Sequence, residues 1–308
     1  MNPRFSVVIP TYARGQVLCD TLRALLAMDL ERCEVIVIDQ NVAHEPATRD
    51  YLASIADRIT HVRLDPPSLP RARNLGWKMA AADIVLYLDD DVIPHAGLLD
   101  GHRGSYEDPA VGGVAGRVVT IGYPASDTPS PRSRWPAVGW LFFNLAQTVP
   151  CDVASARGCN MSFRRAVIEE LGGFDERYTA PCRRESDFCF RMRRRGYRLV
   201  FEPTAAVDHL MHEQGGVRTA GKDESLRLQH HVDNFRFFWR NIPWWQQPAT
   251  LAVFLAQEFL TRRARRARRG WQTNLRILWL FARGMWIAHR QARSPVGADA
   301  SRDVSTLR

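Results

Sequence analysis

The sequence predicts an α/β fold with a mostly parallel central sheet carrying helices on both faces. Three observations predict it. Short apolar runs alternate with helical segments through the first two hundred residues, the order produced when each strand is returned to a parallel neighbour by a helix. One of these runs, residues 84–88, ends in three consecutive carboxylates, Asp89, Asp90 and Asp91. A different composition, rich in Trp and Arg, takes over beyond about residue 216.

Element by element, residues 5–9 read as the first strand and 17–30 as a helix. Residues 34–38 form the second strand, 46–57 a helix and 61–64 a short strand. Residues 70–82 are helical, and 84–88 (IVLYL) are a buried strand because the apolar run is short and uninterrupted. A further strand is expected at 111–119. Residues 120–150 hold five prolines with Trp135, Trp140, Phe142 and Phe143, a composition that suits a functional lid or binding loop. Helices are expected at 164–171 and 186–195, and a last strand at 198–201.

The region beyond is helical in character over 249–260. From Ala264, apolar residues at Ala267, Trp271, Leu275, Leu278, Ala282 and Met285 follow steps of three and four, one stripe of an α-helix. Arg276, Arg283 and Arg290 recur every seven residues off that stripe. Gly270 weakens helix continuity there. A basic amphipathic helix carrying Trp reads as lying on an anionic membrane surface. Packing on the protein body or on a second copy is the alternative, so a homodimer built through this region fits the Trp and Leu stripe as well. Residues 294–308 read as disordered.

Charge is unevenly placed. The formal net charge is +9, yet residues 259–298 contain ten Arg and no acid, which leaves the rest of the chain at −1. No recognisable nucleic-acid-binding motif accompanies the basic segment, so nucleic acid is not the expected partner. The start shows no secretory signal, and no apolar run reaches the length of about 18 residues needed to span a bilayer. Six cysteines lack zinc-like spacing. These features fit a cytoplasmic protein, peripheral on the inner face of the cell membrane.

The acidic triplet is the first chemical signal. Carboxylates crowded at one strand tip repel unless a cation sits among them, and hard divalent ions take oxygen ligands from one or two carboxylates plus substrate phosphates. A solvated acidic turn is the bland alternative. The first strand ends in Pro10-Thr11-Tyr12 without the GxGxxG of dinucleotide sites, and no GxxxxGK[ST] occurs. Asp39 ends the second strand, where an acid can accept from a ribose or a base. Arg73 opens the helix before the triplet strand and suits phosphate.

These pieces resemble family 2 glycosyltransferases in order and spacing. The residues that carry the resemblance are Val7 to Tyr12, Ile38-Asp39, Ala72-Arg73-Asn74 and Leu88-Asp89-Asp90-Asp91, then Gly158 to Arg165, Gly172 to Glu176, Glu185 to Arg191 and His209. The resemblance implies a GT-A fold over 1–215; the composition marks a Trp- and Arg-rich helical region over 216–293 and a disordered tail at 294–308. It implies that Asp39, Pro10, Thr11, Arg73 and Asp89 bind the nucleotide-sugar. Asp91, with Asp89 in a DxD motif and His209, would hold Mn²⁺ or Mg²⁺. Asn160 would face the acceptor; from composition rather than resemblance, the aromatic faces of Trp135 and Trp140 in the loop 120–150 suit covering a sugar acceptor. The family's Glu-Asp-x-Asp-Leu segment reads here Arg184-Glu185-Ser186-Asp187-Phe188, so Glu185 falls at the base position, with Asp187 as the other candidate.

The expected activity is therefore inverting transfer of a hexosyl or deoxyhexosyl group. The donor would be a UDP-, dTDP- or GDP-sugar, and the acceptor a hydroxyl of a lipid-linked or cell-envelope glycan. Two alternatives remain at this level. A nucleotidyltransferase would need a Gly-rich basic signature after the first strand. A degenerate GT-A scaffold at the membrane is favoured only by Arg184.

Overall fold

The structure is a computed structural model that describes residues 5–120, 146–212, 215–216, 224–260 and 271–292. Most of the Pro- and Trp-rich segment, with Trp135 and Trp140, lies outside the described residues, as do the arginine run 262–269 and residues 294–308. The chain divides into two compact units. One comprises Met1–Glu176 and Arg184–Thr219; the other comprises Arg177–Arg183 and Ala220–Arg308.

In the first unit, β1 (Phe5–Thr11), β2 (Cys33–Asp39), β3 (Thr60–Arg63) and β4 (Ile84–Leu88) lie in the order β3-β2-β1-β4, all parallel. Every residue of β1 and β4 is buried, and burying a Val, Leu or Ile contributes roughly 1.5–3 kcal/mol. Helices α1 (Gln16–Leu26), α2 (Pro46–Ser54) and α3 (Leu69–Met79) alternate with these strands, ending somewhat before the limits the sequence suggests. In α3, Gly76 lets the helix close on the sheet: a Cβ there would lie 2.3 Å from Val8 Cγ1. That approach brings Arg73 and Asn74, both buried, beneath the strand ends.

The sheet continues through β5 (Val92–Pro94), β6 (Val111–Thr120), β7 (Cys151–Asp152), β8 (Asn160–Arg164) and β9 (Arg198–His209). The path runs β4-β8-β6-β9-β5, with β7 on β9. β8 is antiparallel to both β4 and β6, whereas β6 and β9 are parallel.

Several features here depart from the sequence expectation, the short strands β5 and β7 among them. β9 runs to His209 rather than stopping at 201. The ladder with β6 shifts register between Gly116 and Arg117, opposite Glu202 and Ala206, so the stretch holding Pro203 is looped out and the strand resumes. Helix α4 (Leu98–Ser105) is unanticipated because Gly101 and Gly104 lower its helix propensity. Gly101 is there for contact, since a Cβ would lie 2.6 Å from the Ala205 amide nitrogen. β8 is short and mixes polar with apolar residues, so its sequence carries little strand signal.

In the second unit, helix Glu224–Asn241 packs on helix Trp271–Ala292. Phe235 meets Phe281 edge to face at 4.9 Å, and Gly284 lies against His231. The buried face is Ile277, Leu280, Phe281 and Ala288. Leu275 and Leu278, on the stripe read from the spacing, are exposed, on the same helix as half-exposed Trp279 and Trp286. Helix Gln247–Leu260 matches the segment anticipated at 249–260. Among the described residues, no helix is long and apolar enough to cross a membrane.

Candidate active site

Sheet register assembles the site. β1 pairs with β2 so that Thr11 stands opposite Asp39. β1 pairs with β4 from Phe5 opposite Ile84 to Val8 opposite Tyr87, which carries Thr11 toward the acidic triplet. Thr11 Oγ1 donates to Asp90 Oδ2 at 2.6 Å. On the other side of β4, Leu88 faces Asn160, so Cys159 arrives beside Asp89. β9 ends at His209, which is opposite Val92 of β5 and Thr120 of β6. Strand ends of a sheet are where open α/β folds bind ligands.

The three acids of the triplet have separate surroundings. Asp90 is buried, accepts from Thr11 and pairs with Arg14 at 2.7 Å. Burial pushes its carboxyl up to about 6 despite Arg14. Asp90 therefore does not point away from the protein, as its middle place in the motif suggests. Asp91 is also buried, 3.0 Å from Arg14 and 3.2 Å from His209 Nε2. Asp89 is the most accessible of the three; burial raises its carboxyl, opposed by Arg73. Thr21 of α1 supports the loop: its hydroxyl lies within donating reach of the carbonyls of Asp90 and Val92, sharing one proton between them, and accepts from the Val92 amide.

Asp39 is held by four donors. Asn41 gives its amide at 2.9 Å and its Nδ2 at 2.7 Å to Oδ1, while His44 and His61 place Nε2 at 2.5 and 2.8 Å from Oδ2. Burial would raise this carboxyl, but those bonds hold it well below the usual range.

Glu185 and Arg73 form the other wall. Arg73 is 1% exposed. Its Nη1 donates to Glu185 Oε1 at 2.6 Å, and its Nη2 lies 3.8 Å from Asp89 Oδ1. Burial alone would raise the Glu185 carboxyl; Arg73 and Arg184 outweigh it and hold it down to about 2. Gly158 is required here, because a Cβ would lie 1.9 Å from Arg73 Nη2.

Two candidates take framework positions instead. Asp187 is fully buried with Arg191 Nε at 2.8 Å, and Arg191 also ties the carbonyls of Leu171 and Gly173. Asn160 is fully buried: Oδ1 meets His102, and Nδ2 donates to the carbonyls of Arg117 and Ala205. Its amide is consumed inside the sheet, which corrects the expectation that it faces an acceptor. Pro10 lies buried within β1. Sequence reasoning missed Arg14, Thr21 and Cys159. Arg14 had a signal, a cation three residues after Thr11 in a loop that must meet three acids.

The donor set fits a divalent cation. Single ligand atoms of Asp89, Cys159 and His209 all lie within 4.8 Å of one another. His209 Nδ1 is buried and, among the described residues, has no hydrogen-bond partner.

The sequence model of glycosyl transferase family 2 matches residues 6–172, and the chain belongs to that family. Pre-mycofactocin glycosyltransferase of Mycobacterium tuberculosis is 30% identical over 190 residues, which cover 60% of this chain and 39% of that protein. The chain thus spans about two fifths of the length of that curated relative. Glucosyl-dolichyl phosphate glucuronosyltransferase of Haloferax volcanii is 26% identical over 220 residues, 68% of this chain and 70% of that one. The structure of mannosyltransferase PcManGT from Pyrobaculum calidifontis, in complex with GDP-Man and Mn²⁺, superposes with a TM-score of 0.55 at 17% identity, covering 95% of this chain and 87% of that one. The fold is GT-A.

Proposed function

We propose that this protein transfers a sugar from a nucleoside diphosphate-sugar to an acceptor hydroxyl with inversion at the anomeric carbon. The observation that carries the reading is the junction of Glu185 and Asp89 on one buried arginine, Arg73, beside Asp91 and His209. Membership of the family and the relatives' names support it.

Residues 1–215 supply the catalytic domain. Asp39 and Thr11 line the nucleotide side, with Pro10 shaping the strand end behind them. Asp89, Asp91 and His209 would hold Mn²⁺ or Mg²⁺, which would supply neutralisation of the charge that develops on the leaving diphosphate. Glu185 accepts the proton of the acceptor hydroxyl as that oxygen attacks the anomeric carbon. Arg73 fixes the Glu185 carboxylate in place, because a bidentate-capable guanidinium anchored in a helix cannot swing as a lysine would.

The acceptor is a lipid-linked or cell-envelope glycan. Residues 216–293 bring the enzyme to the inner face of the membrane. Arg283 lies over Trp279 at 4.9 Å and Arg290 over Trp286 at 4.8 Å, so cations and amphipathic rings share one helix, as an anionic lipid surface requires. The named lipid-phosphate relative agrees with such an acceptor.

A panel of UDP-, dTDP- and GDP-sugars with Mn²⁺, read by thermal stabilisation and slow donor hydrolysis, tests the reading. No response to any donor rejects it. Flotation with anionic liposomes, comparing the full chain with Trp279→Ala/Trp286→Ala, tests the surface; equal flotation would assign those rings to a dimer contact instead.

A further inference from the structure

We propose that Cys159 makes the cation site thiophilic, so that Zn²⁺ or Cd²⁺ binds through Asp89, Cys159 and His209 in competition with the cation of the transfer reaction. The inference rests on the reading that this site holds a divalent cation. It adds a ligand that neither the acidic triplet nor the terminal histidine discloses.

The placement follows from the sheet. Asn160 pairs with Leu88 across β8 and β4, so the residues flanking that pair, Cys159 and Asp89, emerge together at the strand ends. β9 delivers His209 to the same point. One oxygen, one sulfur and one nitrogen then lie within 4.8 Å of each other. Zinc takes bonds of about 2.0–2.3 Å to these three atom types in tetrahedral sites, so small side-chain rotations bring all three onto one ion.

Two independent features point to a ligand rather than a packed core. His209 is 6% exposed and its Nδ1 lacks a hydrogen-bond partner among the described residues. Arg73 Nη2, buried and equally without a hydrogen bond, stands 3.8 Å from Asp89. Buried polar atoms without partners are costly; a cation held through His209 Nδ1 together with Asp89 and Cys159 satisfies the first, while an anion carried with it satisfies the second.

Ligand softness sets the consequence. Mg²⁺ prefers six oxygens in near-octahedral array, whereas thiolate and imidazole favour Zn²⁺ and its heavier congener. On binding, the Cys159 thiol gives its proton to solvent and the sulfur lone pair goes to the metal. A site closed by three protein atoms leaves fewer positions for diphosphate oxygens, so the soft ion displaces Mn²⁺ without replacing its function.

The test uses the full chain with the partly exposed Cys33, Cys151 and Cys182 changed to Ser, in the presence of GDP or UDP. Cd²⁺ is titrated while the ultraviolet sulfur-to-cadmium charge-transfer band is recorded, and Mn²⁺ binding is followed by electron paramagnetic resonance. The expected result is a band that saturates at one Cd²⁺ per chain, loss of bound Mn²⁺ in parallel, and no band in Cys159→Ser. That variant should bind Cd²⁺ on the order of tenfold more weakly while retaining Mn²⁺. A band that survives Cys159→Ser, or Mn²⁺ binding with no band in the parent, overturns the role of Cys159 and leaves the cation site standing. Binding of neither ion removes the cation site itself, and the inference with it.

Discussion

Arg73 Nη1 donates to Glu185 Oε1 at 2.6 Å across 112 residues of sequence. The guanidinium is buried and the carboxylate only partly so, which leaves Glu185 as the reachable member of the pair. Glu185→Gln keeps the shape and removes the basic oxygen. Its expected effect is a fall in kcat of about 10²–10⁴-fold with donor affinity within a few-fold of the parent. Steady-state kinetics beside donor titration measures both.

Asp187 is expected to behave differently. Its carboxylate is fully buried against Arg191, and breaking such a pair from one side costs about 3–5 kcal/mol. Asp187→Asn should lower the urea midpoint strongly. The turnover per folded molecule should stay near that of the parent. A stable variant with lost turnover would move the base assignment from Glu185 to Asp187.

Gly158→Ala tests the close approach to Arg73. The new methyl would meet Arg73 Nη2 at 1.9 Å, so the guanidinium must move. The Arg73–Glu185 contact should break, and turnover should drop at least about tenfold, since a misplacement of about 1 Å costs on the order of a hundredfold. Unchanged kinetics would show that the contact does not position the base.

The pH dependence of turnover carries a sign. Arg73 and Arg184 hold Glu185 down to about 2 against burial, which alone would raise it. The parent should therefore keep an ionised base throughout the acid range in which it stays folded. In Arg73→Gln burial loses its main opponent, and the carboxyl rises. The acid limb of kcat/KM should move to higher pH in the variant. A limb at the same pH in both proteins would contradict the assignment.

Stability should respond to His102, which is fully buried with Nε2 2.8 Å from Asn160 Oδ1 and Nδ1 2.8 Å from Ser162 Oγ. Burial holds this imidazole down to about 4. An unfolded histidine titrates near 6.5, so the neutral buried ring contributes fully above about pH 6.5. That contribution falls as the pH drops toward about 4, because only the unfolded chain takes the proton. This group should remove ~2 kcal/mol of unfolding free energy between pH 7 and 5. His102→Gln should be less stable at pH 7 yet lose less on acidification.

Much of the fold was legible because β1 and β2 are built around short apolar runs, Val7-Val8-Ile9 and Val35-Ile36-Val37-Ile38, and β4 is apolar throughout. β8 and α4 were not, because their sequences are shaped by contacts made far along the chain. Asn160 serves His102 and two carbonyls, and Gly101 serves Ala205. The acids of the site were legible one by one. Their cations were less so: Arg14 reaches Asp90 across 76 residues, and only the β1–β4 register reveals that pairing. The helix stripe from Ala264 onward was read from spacing alone, and spacing does not say which of two apolar faces, Leu275/Leu278 or Ile277/Phe281, meets a partner helix.

The most direct test of the central claim is release of nucleoside diphosphate from a nucleotide-sugar that stabilises the protein, measured with Mn²⁺ for the parent, Asp91→Ala and Glu185→Gln together. Release is expected from the parent alone, with Glu185→Gln still binding donor and Asp91→Ala losing the Mn²⁺ dependence of binding. Release by Glu185→Gln at the parent's rate, or equal donor binding by Asp91→Ala with and without Mn²⁺ when the parent requires it, would contradict the account.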